Sequence, residues 1–449
     1  MTRIEQLKTE IHKSTATNTH IFFFVYLASM IALLFLRNAL NVNIPPVLFL
    51  LLTLIPLALG DVDDILAVAV CCIPFSTGFQ YKYALLLGIV ALLFKTKFKV
   101  RFTPVMGVVI CMMIWELLHA FYGTFSFVEY FRSFAELLFL AFAVSCVDKE
   151  KINHKFILRA YSVALIGVCF IMLYLQLSQN NFDLNEVLTR SKYSRFGRNN
   201  TSYIQYGLNF NPNGLGFMCD LSLASCLFLI SRKENSIFNI VLLALSAVFA
   251  FMTLSRSAIV CMLFFVFSYV FFANTKGVKK LKYVFFTISC LLILFISIYS
   301  FMPEIFGNII ERFSESDVTG GRSDLFEFYN EHIASSVFYM FFGVGLQDFA
   351  GKMINIYGGS YNDVPHNGCQ EAIVCWGVVG LVMVVLLVAF MISQTKKENK
   401  RLFVSFFPLF GWIIFTMSGQ LITSGNALLE LVLIFVTLAV YEKKEEDNN

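Results

Sequence analysis

The sequence predicts an all-α protein, a polytopic bundle of helices embedded in a lipid bilayer, and three observations carry that prediction. Hydrophobic residues make up 58% of the 449 and charged residues only 14%, against roughly 45–50% and about 25% in soluble domains. Apolar runs of the length that a bilayer core of about 30 Å requires, roughly 17–25 residues, recur along the chain between short polar breaks. The 51 phenylalanines, against 3 tryptophans and 18 tyrosines, suit helices that need apolar bulk along their whole length rather than interfacial belts alone.

With the polar breaks as boundaries, the chain holds about fourteen transmembrane helices. They lie near 21–37, 45–60, 65–79, 83–95, 103–122, 128–147, 157–178, 207–230, 236–254, 257–273, 283–301, 367–391, 402–420 and 425–441. The third and fourth are short, and Pro74 with Gly78 makes a bent or re-entrant pair the alternative to two full crossings. Arg3, Glu5, Lys8, Glu10 and Lys13 leave no apolar stretch for a cleavable signal peptide, so the first span must direct insertion. The chain reads as one membrane domain, 21–441, between cytoplasmic tails 1–20 and 442–449.

Short loops rich in Lys and Arg stay in the cytoplasm, which sets the orientation. With the N-terminus inside, the inner loops carry Lys95, Lys97, Lys99 and Arg101, then Lys149, Lys151 and Lys155, then Arg232 and Lys233. Lys276, Lys279, Lys280 and Lys282, and finally Lys396, Lys397, Lys400 and Arg401, continue the pattern, and both termini end inside. The outer side then holds two large loops, 179–206 and 302–366. The longer is acidic; the shorter departs from the charge rule, with Arg190, Lys192, Arg195 and Arg198 interleaved with Tyr193, Phe196 and Tyr203. Cations on that face imply either an anionic counterpart or a solvated basic loop.

The formal net charge of +4 is small and scattered, which argues against a nucleic-acid partner. Ten of the 11 cysteines lie in apolar stretches, where they behave as small hydrophobes, and no CxxC spacing points to a disulfide framework or a zinc site. Asp61-Val62-Asp63-Asp64 resembles a metal-binding carboxylate run, but the topology puts it in a tight cytoplasmic turn. No other metal-ligand spacing is present, and no cofactor is expected.

Polar groups in or at the rim of a membrane helix are costly, so each needs a partner or a task. Thr253-Leu254-Ser255-Arg256-Ser257 separates two spans and sets Arg256 at the outer surface, either to snorkel among headgroups or to clamp an anion. Gly320-Gly321-Arg322-Ser323-Asp324 turns into Leu325, Phe328 and Tyr329 at helical spacing, with Ser323 as N-cap of an amphipathic helix. Arg322 beside free backbone N–H groups would make an anion site, unless a nearby acid pairs it. Asn367 and Gln370 have capping-box spacing, which would leave His366 just before a helix start. The positive end of a helix dipole favours neutral imidazole there, a competent proton acceptor. Asn211-Pro212-Asn213-Gly214-x-Gly216 breaks the start of the eighth span, as a cavity lining or a packing kink. Glu129, Arg132 and Glu136 share a helix face and read as a structural ion-pair network, with Arg132 between two acids. Glu116 and His119 pose the same question one span earlier.

In order, Thr253-Leu254-Ser255-Arg256-Ser257, Gly321-Arg322-Ser323-x-Leu325, His366-Asn367 and Gly377-Val378-Val379-Gly380-Leu381 are similar to motifs of the O-antigen ligase/polymerase superfamily. The resemblance covers roughly 207–390, and Asn211-Pro212-Asn213 is similar to the family's polar opening of a middle helix. It implies a metal-independent, inverting glycosyltransferase with a GT-C-like membrane fold, acting on the outer face of a bacterial inner membrane. Its donor would be a glycan on undecaprenyl diphosphate. A polymerase passes that glycan to another lipid-linked repeat unit of an O-antigen or capsule, and a ligase passes it to lipid A-core. The partners so implied are donor, glycan acceptor, bilayer and a chain-length regulator.

Carried over by motif, Arg256 and Arg322 match the family's essential arginines and His366 its essential histidine. Arg195 or Arg198 corresponds to an arginine of the smaller outer loop, and Asn367, Asn211 and Asn213 are the accompanying substrate-binding candidates. The chemistry is consistent, because a diphosphate leaving group needs charge neutralisation, which two arginines supply by bidentate bonds. A neutral imidazole can take the acceptor hydroxyl's proton. The polymerase is the leading expectation and the ligase the second. A transporter or flippase of lipid-linked sugars is the rival from another class; it should show repeated halves and charges near mid-membrane.

Overall fold

Apolar sequence between polar breaks can satisfy its backbone in a bilayer only as helix or closed barrel, and every regular element among the described residues is helical. A computed structural model describes residues 20–122, 126–183, 186–187, 195–198, 207–232, 234, 236–272, 300, 307, 310, 323–347, 365–393, 402–419, 421–422 and 426–439. The first helices are α1 (Ile21–Ala39), α2 (Pro46–Leu59), α3 (Val62–Phe75), α4 (Tyr81–Lys95), α5 (Pro104–Leu118) and α6 (Phe127–Cys146). They are followed by α7 (His154–Gln179), α8 (Pro212–Ser231), α9 (Ile237–Met252) and α10 (Arg256–Phe272). The rest are α11 (Ser323–Ser335), α12 (Val337–Phe342), α13 (Gly368–Ser393), α14 (Leu402–Ser405), α15 (Phe407–Ser418) and α16 (Glu430–Leu438).

Among the described residues, five helices are long and apolar enough to cross a membrane: α1, α5 extended to Phe121, α7, α8 and α13. Pro46–Leu59, Ile237–Met252, Arg256–Phe271 and Phe403–Ser418 are shorter apolar helices. The described residues thus give fewer clear crossings than the expected fourteen. Turns cut some expected spans: 402–420 is broken at Phe406, and 425–441 is helical only from Glu430. The expected span at 283–301 lies almost wholly outside the described residues, as do both tails apart from His20.

The centre of the bundle is α3, buried without interruption from Asp64 to Phe75 and packed on α4, α7 and α16. At its start, Asp61 Oδ1 accepts the Asp64 N–H at 3.0 Å and Asp64 Oδ2 accepts the Asp61 N–H at 3.1 Å, a complete capping box. His20, Asp61 and Asp64 have donor atoms within 4.8 Å of one another, but His20 Nδ1 meets Asp64 Oδ1 at 2.8 Å and both acids are engaged in the cap. The acidic run therefore does the work of helix initiation. Hydroxyls tie the neighbouring helices together: Ser222 of α8 donates to Ser162 of α7 and meets Ser246 of α9, each at 2.8 Å. Such interhelical bonds hold helices together where lipid offers no hydrophobic driving force.

The expected ion-pair network on α6 divides in two. Arg132 pairs with Glu129 near the exposed start of the helix, whereas Glu136 is buried deeper, where α4 covers that face. There it accepts from Tyr81 Oη at 2.6 Å and lies 3.6 Å from Lys82 Nζ. Glu136 lies one turn beyond Arg132 but is engaged by Tyr81 and Lys82 of α4, and Arg132 turns back to Glu129.

Helix α13 is interrupted at Gly377, whose φ of 71° is left-handed. A Cβ there would lie 2.0 Å from the Phe341 carbonyl oxygen, so only glycine fits. The Val374 and Cys375 carbonyls accept from the Val344 and Gly345 N–H groups, at 2.8 and 2.7 Å. Glu116 of α5 completes the junction by accepting from Leu346 N–H at 3.0 Å, Gln347 N–H at 3.2 Å and Trp376 Nε1 at 2.7 Å. Residues 344–347 are thereby docked on the break in α13.

Candidate functional site

The polar opening of α8 is a helix start rather than an unwound stretch inside a span. Asn211 is extended; its Oδ1 accepts the Asn213 N–H at 3.0 Å, and Pro212 occupies the first helical position, where a missing N–H costs nothing. Residues 207–210, expected to be helical, are irregular, and the Leu208 N–H is satisfied by Asn38 Oδ1 at 2.9 Å. Gly216 has its own reason: a Cβ would meet Thr253 Oγ1 at 2.7 Å and the Ala258 Cβ at 2.8 Å. The Thr253–Ser257 turn is thus packed directly on α8. Leu254 in that turn is left-handed at φ 49°, and Arg256 is the first residue of α10.

Within the loop expected at 179–206, the turn 195–198 is fixed from three sides. Gln176 of α7 donates to the Arg198 carbonyl at 3.0 Å, Gly197 O accepts the Phe210 N–H at 2.8 Å, and Phe196 stacks on Phe249 of α9 at 5.6 Å. Arg195 is buried and its Nη1 reaches Asn213 Oδ1 at 3.4 Å, while Arg198 is exposed.

At the start of α13, Asn367 Oδ1 accepts the N–H groups of Cys369 and Gln370, at 3.0 and 3.1 Å, and its Nδ2 donates to Met417 O at 3.1 Å. The expected cap is present, but the box is half made. Gln370 Nε2 bonds Phe326 O and Asn330 Oδ1 of α11, both at 2.9 Å, instead of reaching back. Glu371 Oε2 accepts from Leu421 and Ile422 N–H at 2.5 and 2.9 Å. The helix start that follows His366 is therefore held by α11, α15 and the segment after α15. The helix expected after Arg322 begins at Ser323 itself, with Tyr329 and His332 buried; Arg322 lies outside the described residues. Burial pushes His332 down to about 4 by disfavouring the charged ring.

These segments meet around a cavity of about 240 Å³. His366 lines it together with Asn209, Asn211 and Asn213. Ser76 and Thr77, after α3, and Tyr81, at the start of α4, contribute hydroxyls, and Phe210 and Phe415 contribute aromatic rings. Asn426 and Glu430 complete it. Glu430 is only 2% exposed, and its Oε2 has no hydrogen-bond partner among the described residues. Amides and hydroxyls both donate and accept, so this lining suits a polyhydroxylated ligand with an apolar ring face.

Of the eight candidates, the cavity brings His366, Asn211 and Asn213 together. Arg195 stands behind Asn213, and Arg256 sits on a turn packed against Gly216, two residues from the lining Gly214. Asn367 and Arg198 do not line the cavity, and the carboxamide of Asn367 is engaged in capping. Sequence reading missed Tyr81, Asn426 and Glu430. Glu430 carried a usable signal, an acid inside an apolar run; Tyr81 and Asn426 carried none.

A family model described as O-Antigen ligase matches residues 241–385, and the comparison with curated proteins finds no match. The matched stretch contains Arg256, Arg322, His366 and Asn367. Asn211, Asn213 and Arg195 precede it, and the fold joins them to the same site.

Proposed function

From the premise that residues 241–385 belong to the O-antigen ligase/polymerase superfamily, we propose that this protein is a polymerase of lipid-linked oligosaccharide repeat units. The observation that carries the reading is one cavity that unites His366 with the asparagines that open α8, in a lining of amides, hydroxyls and aromatic rings. In this reading the donor is a glycan on undecaprenyl diphosphate and the cavity faces the outer side of the inner membrane.

The acceptor sugar hydroxyl attacks the anomeric carbon from the face opposite the diphosphate. As the new C–O bond forms, the bond to the diphosphate breaks, its electron pair leaves on the phosphate oxygen, and configuration inverts. His366 accepts the hydroxyl proton, a contribution of roughly 10²–10⁴-fold. Arg256, with Arg322 and Arg195, neutralises the charge that grows on the diphosphate, where preorganised donors act most strongly. Asn211 and Asn213 hydrogen-bond sugar hydroxyls.

The description of the matched family model favours transfer to lipid A-core as a second reading. The deciding experiment supplies purified protein with the undecaprenyl-diphosphate repeat unit alone. Longer lipid-linked glycans are the expected product. Product only after lipid A-core is added would replace the polymerase by the ligase. Normal turnover by His366→Ala, with normal insertion, would remove the base assignment under either reading.

A further inference from the structure

A second cavity, of about 490 Å³, lies at the other end of the same two helices. Val62 begins α3 at this cavity and Ser76 follows its end at the first; Tyr81 begins α4 at the first and Lys95 ends it here. The 15 residues of α4, at about 1.5 Å each, separate the two by roughly 20 Å. The second cavity is therefore distinct from the site around His366.

Its lining is ionic. Lys95, Lys99, Arg101 and Lys151 share it with Asp61, Asp63 and Asp148. Each acid has one partner and retains further acceptor capacity: Asp61 caps α3, Asp63 Oδ1 accepts the Asn153 N–H at 3.1 Å, and Asp148 lies 3.5 Å from Lys151 Nζ. Lys95, Lys99 and Arg101 form no ion pair among the described residues. The balance leaves surplus positive charge around an open hollow.

The rim is apolar. Phe94, Phe98 and Phe102 are 65%, 60% and 76% exposed, next to Lys95, Lys99 and Arg101 in sequence. Lys97 and Phe98 are both left-handed, at φ 55° and 56°, in the tight turn between α4 and the extended stretch that leads to α5. Aromatic side chains beside cations at a helix end match the boundary between acyl chains and headgroups. A free inorganic anion would use the cations alone, whereas a lipid uses both features.

The geometry points to a binding site for an anionic phospholipid with a glycerol headgroup, of the phosphatidylglycerol class. Its phosphodiester lies among Lys95, Lys99 and Arg101, its acyl chains run along Phe94, Phe98 and Phe102, and its headgroup hydroxyls donate to Asp61 and Asp63. Basic pockets between membrane helices take such headgroups. The site concerns the end of the bundle away from the glycan chemistry, and it stands whether or not the polymerase reading does.

The test is native mass spectrometry of the full-length chain, stripped of lipid in detergent and offered phosphatidylglycerol, phosphatidylethanolamine or inorganic phosphate. One phosphatidylglycerol is retained per chain, with about tenfold preference over phosphatidylethanolamine. Lys99→Gln with Arg101→Gln lowers retention roughly tenfold or more, and either single variant lowers it severalfold should the double variant not fold. Lys97→Gln, which removes the same charge from a residue outside the cavity, leaves retention unchanged. Equal retention of phosphatidylethanolamine, equal loss in Lys97→Gln, or displacement of the lipid by inorganic phosphate at matching concentration would each overturn the proposal.

Discussion

Replacing Gly377 by alanine tests how the break in α13 is held. An L-residue at φ 71° and ψ −177°, a region essentially confined to glycine, pays about 1–3 kcal/mol. The new Cβ would also lie 2.0 Å from the Phe341 carbonyl oxygen and 2.2 Å from its carbon, backbone atoms that cannot swing aside. Relief requires α12 to move, which stretches the Val344–Val374 and Gly345–Cys375 hydrogen bonds of 2.8 and 2.7 Å, each contributing about 0.5–1.5 kcal/mol. Together these give a destabilisation of about 2–6 kcal/mol. The assay is equilibrium unfolding of the purified protein in detergent, with Gly214→Ala as reference because nothing lies within 4 Å of a Cβ there. Gly377→Ala should unfold well before wild type and expose residues 343–347 to hydrogen exchange. A Gly377→Ala protein within about 0.5 kcal/mol of wild type, or one no worse than Gly214→Ala, would refute the reasoning.

Three further outcomes are expected. Glu116→Gln removes a charged acceptor from Leu346 N–H, Gln347 N–H and Trp376 Nε1; hydrogen exchange at 344–347 should speed up by roughly thirtyfold, the equivalent of about 2 kcal/mol. Gly216→Ala pushes on Thr253 and Ala258 and should cost about 1–3 kcal/mol; glycan transfer measured far below the melting temperature should fall with it, because Arg256 rides on the displaced turn. His332 titrates at about 4 when folded and near 6.5 when unfolded, so between those values the unfolded state holds more protons. The stability due to neutral His332 is present above pH 6.5 and is lost as pH falls towards 4, by about 3 kcal/mol. Exchange in 323–347 should accelerate over that window, and His332→Phe should flatten the dependence.

Fold class was legible because a bilayer leaves so few choices: a long run of apolar residues has to be helix, and α5, α6, α7 and α13 fall within a few residues of the expected spans. Helix count was less legible, since the turn at Phe406 falls within an almost unbroken apolar run. At the site, Asn211, Asn213 and His366 stood out as polar groups at helix rims, which hydropathy exposes directly. Tyr81 hides among aromatic residues, and Glu430 was passed over in its apolar run. Gly377 and Gly380 were readable as a motif, but a glycine needed for a left-handed break looks the same in sequence as one needed for close packing. Asp61 to Asp64, read in sequence as a carboxylate run in a tight turn, supplies the capping box that starts α3.

Because a non-helical residue interrupts α13, the bilayer meets that element as two bodies in series. The part after Gly377 carries the exposed Val382, Val385 and Leu386, while the part before it is largely buried and tied to Leu421, Ile422 and α11. Helices adapt to a thicker or thinner membrane by tilting, at fractions of a kcal/mol per ångström of mismatch. The break at Gly377 thus puts the lipid-facing surface and the cap at Asn367, next to His366, on separate segments of α13.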